Sequence, residues 1–216
     1  MYRAPAPAHD GPKFPPLDVP PDLLDWLDKA HTYPPRAYHH FGHARAVLQH
    51  CAEAAADAGW EQPAEVQLAA LCHDAVYEPG RSDNEARSAI LAGCVVAHWF
   101  PDAGIDVPAL TRLIELTARY GALKPGQVSD DQARFLDCDM AILAAPWEVF
   151  CAYDAGIAQE YRDVMPGWLF AWRRRAFLKK LLASPRIYLS DWGHARWDAA
   201  ARTNLARRLG RTHHQS

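Results

Sequence analysis

The chain has 216 residues, half of them hydrophobic and 23% charged, with a formal net charge of -3. That is enough chain to bury a sizeable core as one globular domain. The charge gives no general electrostatic drive toward nucleic acid or an anionic membrane, and no apolar run approaches the roughly 20 residues of a membrane span.

Residues 1–20 are rich in proline and alanine and show no apolar period. They predict a loosely held N-terminal arm, and they lack the apolar core of a signal peptide. Residues 21–210 read almost entirely as helix, and 211–216 as a short tail. The first helix begins at Pro21-Asp22, carries Leu23, Leu24, Trp26 and Leu27, and is ended by Pro34-Pro35. The second runs from Phe41 to Ala58 and stops at Gly59. The third starts at Pro63, a favoured first-turn residue, and is expected to reach about Tyr77. After the Pro79-Gly80 loop a fourth covers Asp83 to Phe100, with Ser82 as N-cap and Glu85 completing a capping box. A fifth spans Pro108 to Tyr120. The sixth opens at Ser129, with Gln132 in capping-box position, and runs to about Ala144. The seventh spans Pro146 to Arg162 and the eighth Pro166 to Ala183. The ninth runs from Asp191 to Leu209, with Gly210 as a C-terminal stop. Strand-like alternation, internal repeats and glycine-rich phosphate loops are absent from this pattern. The expected fold class is therefore all-α, a single helical bundle.

The five cysteines, Cys51, Cys72, Cys94, Cys138 and Cys151, are odd in number and form no C-x-x-C pair. They read as buried thiols of a cytoplasmic protein rather than disulfides or a zinc finger. The eight tryptophans read as packing residues.

His73-Asp74 carries the most chemical information. The pair closes the apolar run from Leu68, and a buried carboxylate is expensive unless it is paired or bound to a metal. Helical geometry places Asp74 about 100° from His73, so both can reach one ion. A solvated helix end would explain either residue alone. In the sixth helix Phe135, Asp139, Ile142 and Leu143 share a face. Asp139 is thus the inward carboxylate, and Asp137 is expected to face water or lie outside the ligand set. Upstream, His43 shares a face with Val47 and Ala54 and is the favoured ligand of that segment. His39 is a second ligand or a hydrogen-bonding partner for substrate, and His40 and His50 read as structural. Two imidazoles and two carboxylates suit Mn, Fe, Co, Ni or Zn better than an all-oxygen cage would. Mg is a further candidate. Such an ion lowers the pKa of a bound water and polarises a phosphoryl oxygen.

These residues resemble the HD superfamily of metal-dependent phosphohydrolases, in its compact predicted-phosphohydrolase branch. The similarity runs through Tyr38 to His43, Cys72 to Glu85, Asp137 to Leu143, Pro185 to Tyr188 and Ala201 to Leu205. It covers about residues 21–210. It implies an HD-type helical domain in which His43, His73, Asp74 and Asp139 bind a divalent metal. Two positions depart from the pattern: Cys72 stands where relatives show an aromatic residue, and Tyr120 stands where a histidine often follows Thr117. The latter favours one ion over two, and disfavours a di-iron oxygenase.

The loop after the pair adds two candidates. Arg81 can clamp a phosphate, and Glu85 can transfer a proton or orient water. Their plain alternatives are a solvated charge and the capping box. The basic run Arg173-Arg174-Arg175 with Lys179-Lys180 reads as a solvated face. The expected function is hydrolysis of a small phosphorylated substrate, a phosphomonoester or a nucleotide, with Asp74, Arg81 and Glu85 as catalytic residues. The competing expectation is a non-catalytic, metal-containing HD module that binds a nucleotide or a protein. Assembly into a homo-oligomer is compatible with either.

Overall fold

Proline and glycine punctuate this chain where its helices begin and end. The computed structural model describes residues 14–210, which form nine α-helices and no strand. They are α1 Pro21–Ala30, α2 Phe41–Ala58, α3 Pro63–Cys72, α4 Asn84–Trp99 and α5 Val107–Thr117. α6 Asp130–Asp139, α7 Trp147–Glu160, α8 Gly167–Ala183 and α9 Asp191–Arg208 follow. Proline opens α1, α3 and α5, and the predicted Ser129–Gln132 capping box is formed at the start of α6. No helix of the described residues is long and apolar enough to cross a membrane.

α3 is the axis of the bundle. Every residue from Glu65 to Cys72 is buried, as expected of a helix that is apolar on all sides and packed on several neighbours. α2, α4, α5 and α6 surround it. Its two polar residues are satisfied: Glu65 Oε1 accepts from Asp106 N at 2.7 Å, and Gln67 both accepts from and donates to the backbone of Leu17. That last pair corrects part of the predicted arm. Residues 1–13 lie outside the described residues, but Phe14, Leu17 and Val19 pack on the core, and Leu17 is fastened to α3 by its own backbone. The expected tail, 211–216, also lies outside the described residues.

Other expectations also change. α3 ends at Cys72, so His73 and Asp74 sit in a turn, not within a helix reaching Tyr77. α5 ends at Thr117, and α6 gives way at Met140 to a 3-10 turn, Met140–Ala144. Ser82 is not a cap: α4 starts at Asn84 with no side-chain cap bond. The 74–84 loop is held instead from within. Asn84 accepts from Glu78 N and donates to Glu78 O, both at 3.0 Å, and Ser88 Oγ bonds the backbone of Val76. Cys94 is exposed on the outer side of α4. Trp26, Trp168 and Trp172 are exposed as well; on α8 only Leu178 and Leu181 are buried, and Phe170 and Phe177 pack on the core from its inner side.

Candidate metal centre

Three elements bring the ligand side chains together. α2 contributes His43 from its first turn, the turn after α3 contributes His73 and Asp74, and the last residue of α6 is Asp139. His43 and His73 are buried. The two Nε2 atoms lie 3.2 Å apart. Asp139 Oδ1 is 3.0 Å from His43 Nε2 and 3.5 Å from His73 Nε2. Asp74 Oδ2 is 3.1 Å from His73 Nε2 and 3.5 Å from His43 Nε2. Ligand atoms about 2.1 Å from one ion are about 3.0 Å apart at right angles and about 3.4 Å apart in a tetrahedron. The observed separations match those edges. His43, His73 and Asp139 form a triad able to hold a metal ion, and Asp74 approaches the same two nitrogens.

The protonation pattern points the same way. His73 Nδ1 faces the Ala70 carbonyl at 3.1 Å and donates to it. In the neutral ring Nε2 then has only a lone pair, and its neighbours are two carboxylate oxygens and another imidazole nitrogen. Acceptors facing acceptors require a cation. Burial works against a charged His73 ring, but Asp74 and Asp139 outweigh it and raise its pKa well above the usual value. Burial likewise opposes the two carboxylates, yet the imidazoles hold both well below the ordinary carboxylate range. Without an ion, a proton fills the gap. The residues present fit a divalent metal.

Two residues that the sequence pattern did not flag build the frame. Arg36 gathers the carbonyls of Asp74 (2.5 Å), His39 (2.9 Å), Ala30 (3.1 Å) and Ala75 (3.1 Å). It thereby ties the loop before α2 to the turn that carries His73-Asp74. Glu160, at the end of α7, accepts through Oε1 from the backbone N–H groups of Ala37, Tyr38 and His39 at 2.7–3.0 Å. Its Oε2 takes His39 Nδ1 at 2.6 Å. Burial disfavours the Glu160 charge, but His39 and the N–H groups outweigh it and hold its pKa below the usual value. Gly156 makes this approach possible, since a Cβ there would meet Tyr38 Cβ at 3.2 Å and Ala37 O at 3.3 Å. No short-range spacing announces contacts across more than a hundred residues.

His39 is therefore bound to Glu160 rather than to the triad. Its ring stacks on Tyr77 at 4.0 Å, and Nε2 has no hydrogen-bond partner among the described residues. Arg81 and Glu85 are not brought to the triad by any hydrogen bond or ion pair. Arg81 is exposed and pairs in bidentate fashion with Asp83, at 2.7 and 2.6 Å. Glu85 is half-buried on the first turn of α4.

Asp137 differs from its expected place facing water. It is fully buried and is surrounded by donors. Leu189 N and Ser190 N donate at 2.7 Å and Ser190 Oγ at 2.6 Å, and Tyr120 Oη lies at 3.3 Å. Burial still pushes its pKa up to about 6. The single Tyr120 proton points chiefly to Ile187 O at 2.7 Å, with Asp137 the more distant acceptor, so the residue at the expected histidine position ties this hub to the 187–190 segment. Gly193 packs against Asp137 so closely that a Cβ would lie 2.5 Å from its Oδ2. The Pro185–Tyr188 and Ala201–Leu205 segments complete the frame. Arg202 bonds the carbonyls of Leu182, Ser184 and Pro185, and Asn204 those of Leu143 and Ala145. Asn204 thus fastens the 3-10 turn that follows Asp139, and Arg202 closes the end of α8.

Compared with protein-family models, curated proteins and solved structures, the chain gives no match. The case for its chemistry rests on the geometry above.

Proposed function

We propose that the chain is a metal-dependent phosphohydrolase acting on a phosphomonoester or nucleotide, as its resemblance to the HD superfamily implies. One observation carries this reading: two imidazole Nε2 atoms and two carboxylate oxygens converge, each oxygen 3.0–3.5 Å from both nitrogens, with no backbone N–H or hydroxyl among them. An all-α bundle hosts many functions, so the site and not the fold supports the proposal.

His43, His73 and Asp139 would hold the ion, with Asp74 as the fourth ligand. The mixed nitrogen and oxygen set suits Mn, Fe, Co, Ni or Zn. When bound, such an ion lowers the pKa of a water and polarises a phosphoryl oxygen. The protein's own residues supply orientation. The Ala70 carbonyl fixes the His73 tautomer, and such supporting contacts set ligand geometry and basicity. Arg36 fixes the turn that presents Asp74. His39, anchored through Nδ1 by Glu160, keeps Nε2 free to hydrogen-bond the substrate.

The test is elemental analysis of the purified protein, followed by a phosphatase screen over nucleotides and simple phosphomonoesters with Mn, Co, Ni and Mg. A bound first-row ion and metal-dependent phosphate release, both lost in Asp74→Ala, are expected. A metal-loaded protein that binds a nucleotide but hydrolyses no ester would replace this reading with the non-catalytic binding module.

A further inference from the structure

The metal centre opens on one side into a cleft walled mostly by carbon. The cleft has a volume of about 490 Å³, and His43 and Asp139 lie on its lining. Ala46 and Val47 of α2, Ile142 of the 3-10 turn, Val149 of α7 and Trp197 of α9 build its walls. Among the described residues no lysine or arginine lines it. Besides the two ligand residues, the ring nitrogens on its lining belong to His40 and His50. His40 Nδ1 accepts from Gly42 N, and the His50 ring packs edge-on against Trp197 at 5.3 Å. The arginines lie elsewhere: Arg162, Arg174, Arg175 and Arg208 line a separate cavity between α7, α8 and the end of α9, which none of the four ligand residues touches.

We infer that this cleft binds the apolar, uncharged body of a phosphomonoester that carries a single phosphoryl group, such as an aryl ester, and rejects polyphosphates. The inference rests on the phosphohydrolase reading for its anionic end. A divalent ion held by Asp74 and Asp139 has its charge balanced by the two carboxylates. One phosphoryl group can meet the ion, but each further phosphate would lie along a wall that offers no lysine or arginine to pair with it, and an anion set against apolar surface without a partner is disfavoured. Size agrees. An apolar cavity of about 150 Å³ holds benzene, and roughly 300–1,000 Å³ is usual for small-molecule sites. A two-ring body fits. Hydrolysis would break the bond between phosphorus and the ester oxygen. The organic body leaves as a phenol or alcohol with one proton from water, and inorganic phosphate remains.

The experiment compares 1-naphthyl phosphate with a nucleoside triphosphate on the Mn-loaded full chain, and in parallel measures calorimetric binding of non-hydrolysable naphthylmethylphosphonate. The aryl ester is expected to have a kcat/KM at least about 100-fold higher, the scale at which pocket chemistry discriminates. Ala46→Lys puts a cation on the cleft wall at an exposed position, with folding checked by circular dichroism. It should weaken phosphonate binding at least tenfold and narrow the preference for the aryl ester. Equal or better turnover of the triphosphate would overturn the cleft assignment and leave the hydrolase reading standing. Phosphonate binding that Ala46→Lys weakens, with no ester ever hydrolysed, would do the reverse. Failure to bind the phosphonate would overturn the assignment outright.

Discussion

Asp137 and Asp139 sit two residues apart on one helix, and their surroundings are opposites. Asp137 is met by three donors, two of them backbone N–H groups and the third the Ser190 hydroxyl, within 2.6–2.7 Å. Asp139 is met by no backbone N–H and no hydroxyl, only by two imidazole Nε2 atoms, at 3.0 and 3.5 Å. The protein satisfies the first carboxylate by itself and leaves the second in need of a cation. Burial alone does not separate a structural carboxylate from a functional one: Asp137 is the more buried of the two. The chemistry of the partners does.

The largest expected effect tests the cation-requiring half of that contrast. Asp139→Ala and Asp74→Ala should lose bound metal and turnover together while keeping the fold. The fold should survive because Arg36 holds the backbone oxygen of Asp74, which alanine retains. Asp139 is followed by a 3-10 turn that Asn204 fastens through Leu143 and Ala145. Activity should fall to the no-enzyme background, measured as phosphate release beside elemental analysis and circular dichroism. Retention of full metal by either variant would remove that carboxylate from the ligand set.

The donor-satisfied half calls for the opposite result. Asp137→Asn is nearly isosteric but turns an NH2 group toward donors. Each buried N–H left unpaired costs about 1–3 kcal/mol, so a loss of about 2–4 kcal/mol in unfolding free energy is expected. Metal content per folded molecule should be unchanged. Denaturant titration with metal analysis of the folded fraction checks both. A variant as stable as the wild type would show that the hub does not hold α6.

The distinction between the two aspartates was half visible in the sequence. Periodicity correctly sent Asp139 inward with Phe135. It sent Asp137 toward water because it assumed that α6 has a single buried face. In the fold α6 packs on α2, α3 and α5 and also on α9, so its second face is buried too. Helix ends were legible where proline, glycine or a capping box marked them, as at Pro63, Gly59 and Ser129. The end of α3 was not, because the turn at His73-Asp74 is stabilised by Arg36, a residue 38 positions away from Asp74. Glu160 is 121–123 positions from the groups that it binds. Side chains that bond distant backbone leave no local period to read.

A smaller effect follows from the proton that substitutes for the cation. His73 in the metal-free fold has a pKa well above its usual value. The unfolded ring titrates near about 6.5. The stabilisation from the shared proton is therefore complete below about pH 6.5 and is lost as pH rises toward the folded-state value. In that window folding takes up as much as one proton, worth up to about 1.4 kcal/mol per pH unit. His31, pulled down to about 4 by burial, and His50, also lowered by burial, oppose this trend only while the unfolded ring still holds a proton, up to about pH 7.5. With chelator present, Tm should fall as pH rises from 6.5. With Mn the decline should shrink, since the ion replaces the proton and metal binding strengthens as the ligands deprotonate. Identical slopes with and without Mn, measured by thermal melts from pH 6.5 to 9, would mean that the triad shares no proton.

The smallest expected effect concerns Arg81, which the sequence placed among the catalytic residues. Its guanidinium is exposed and already committed to Asp83, and it makes no bond to the triad. Exposed ion pairs contribute little to stability. Arg81→Ala should therefore leave Tm and metal content unchanged and turnover within about threefold of wild type, well short of the roughly 10²- to 10⁴-fold loss typical of a group that takes part in the chemistry. Glu85→Ala gives the companion measurement, because Glu85 neither caps α4 nor bonds a metal ligand. The informative quantity for both is KM against kcat. A phosphate clamp that engages only when substrate arrives would break the pair with Asp83 and would show as a large rise in KM for Arg81→Ala, and as the opposite change, a lower KM, when Asp83→Ala frees the same guanidinium. Unchanged KM in both variants would leave Arg81 and Asp83 as a surface pair. The contrast drawn for Asp137 and Asp139 would then hold for arginines as well: Arg36, half-buried among carbonyls, shapes the site, and Arg81, in solvent, does not.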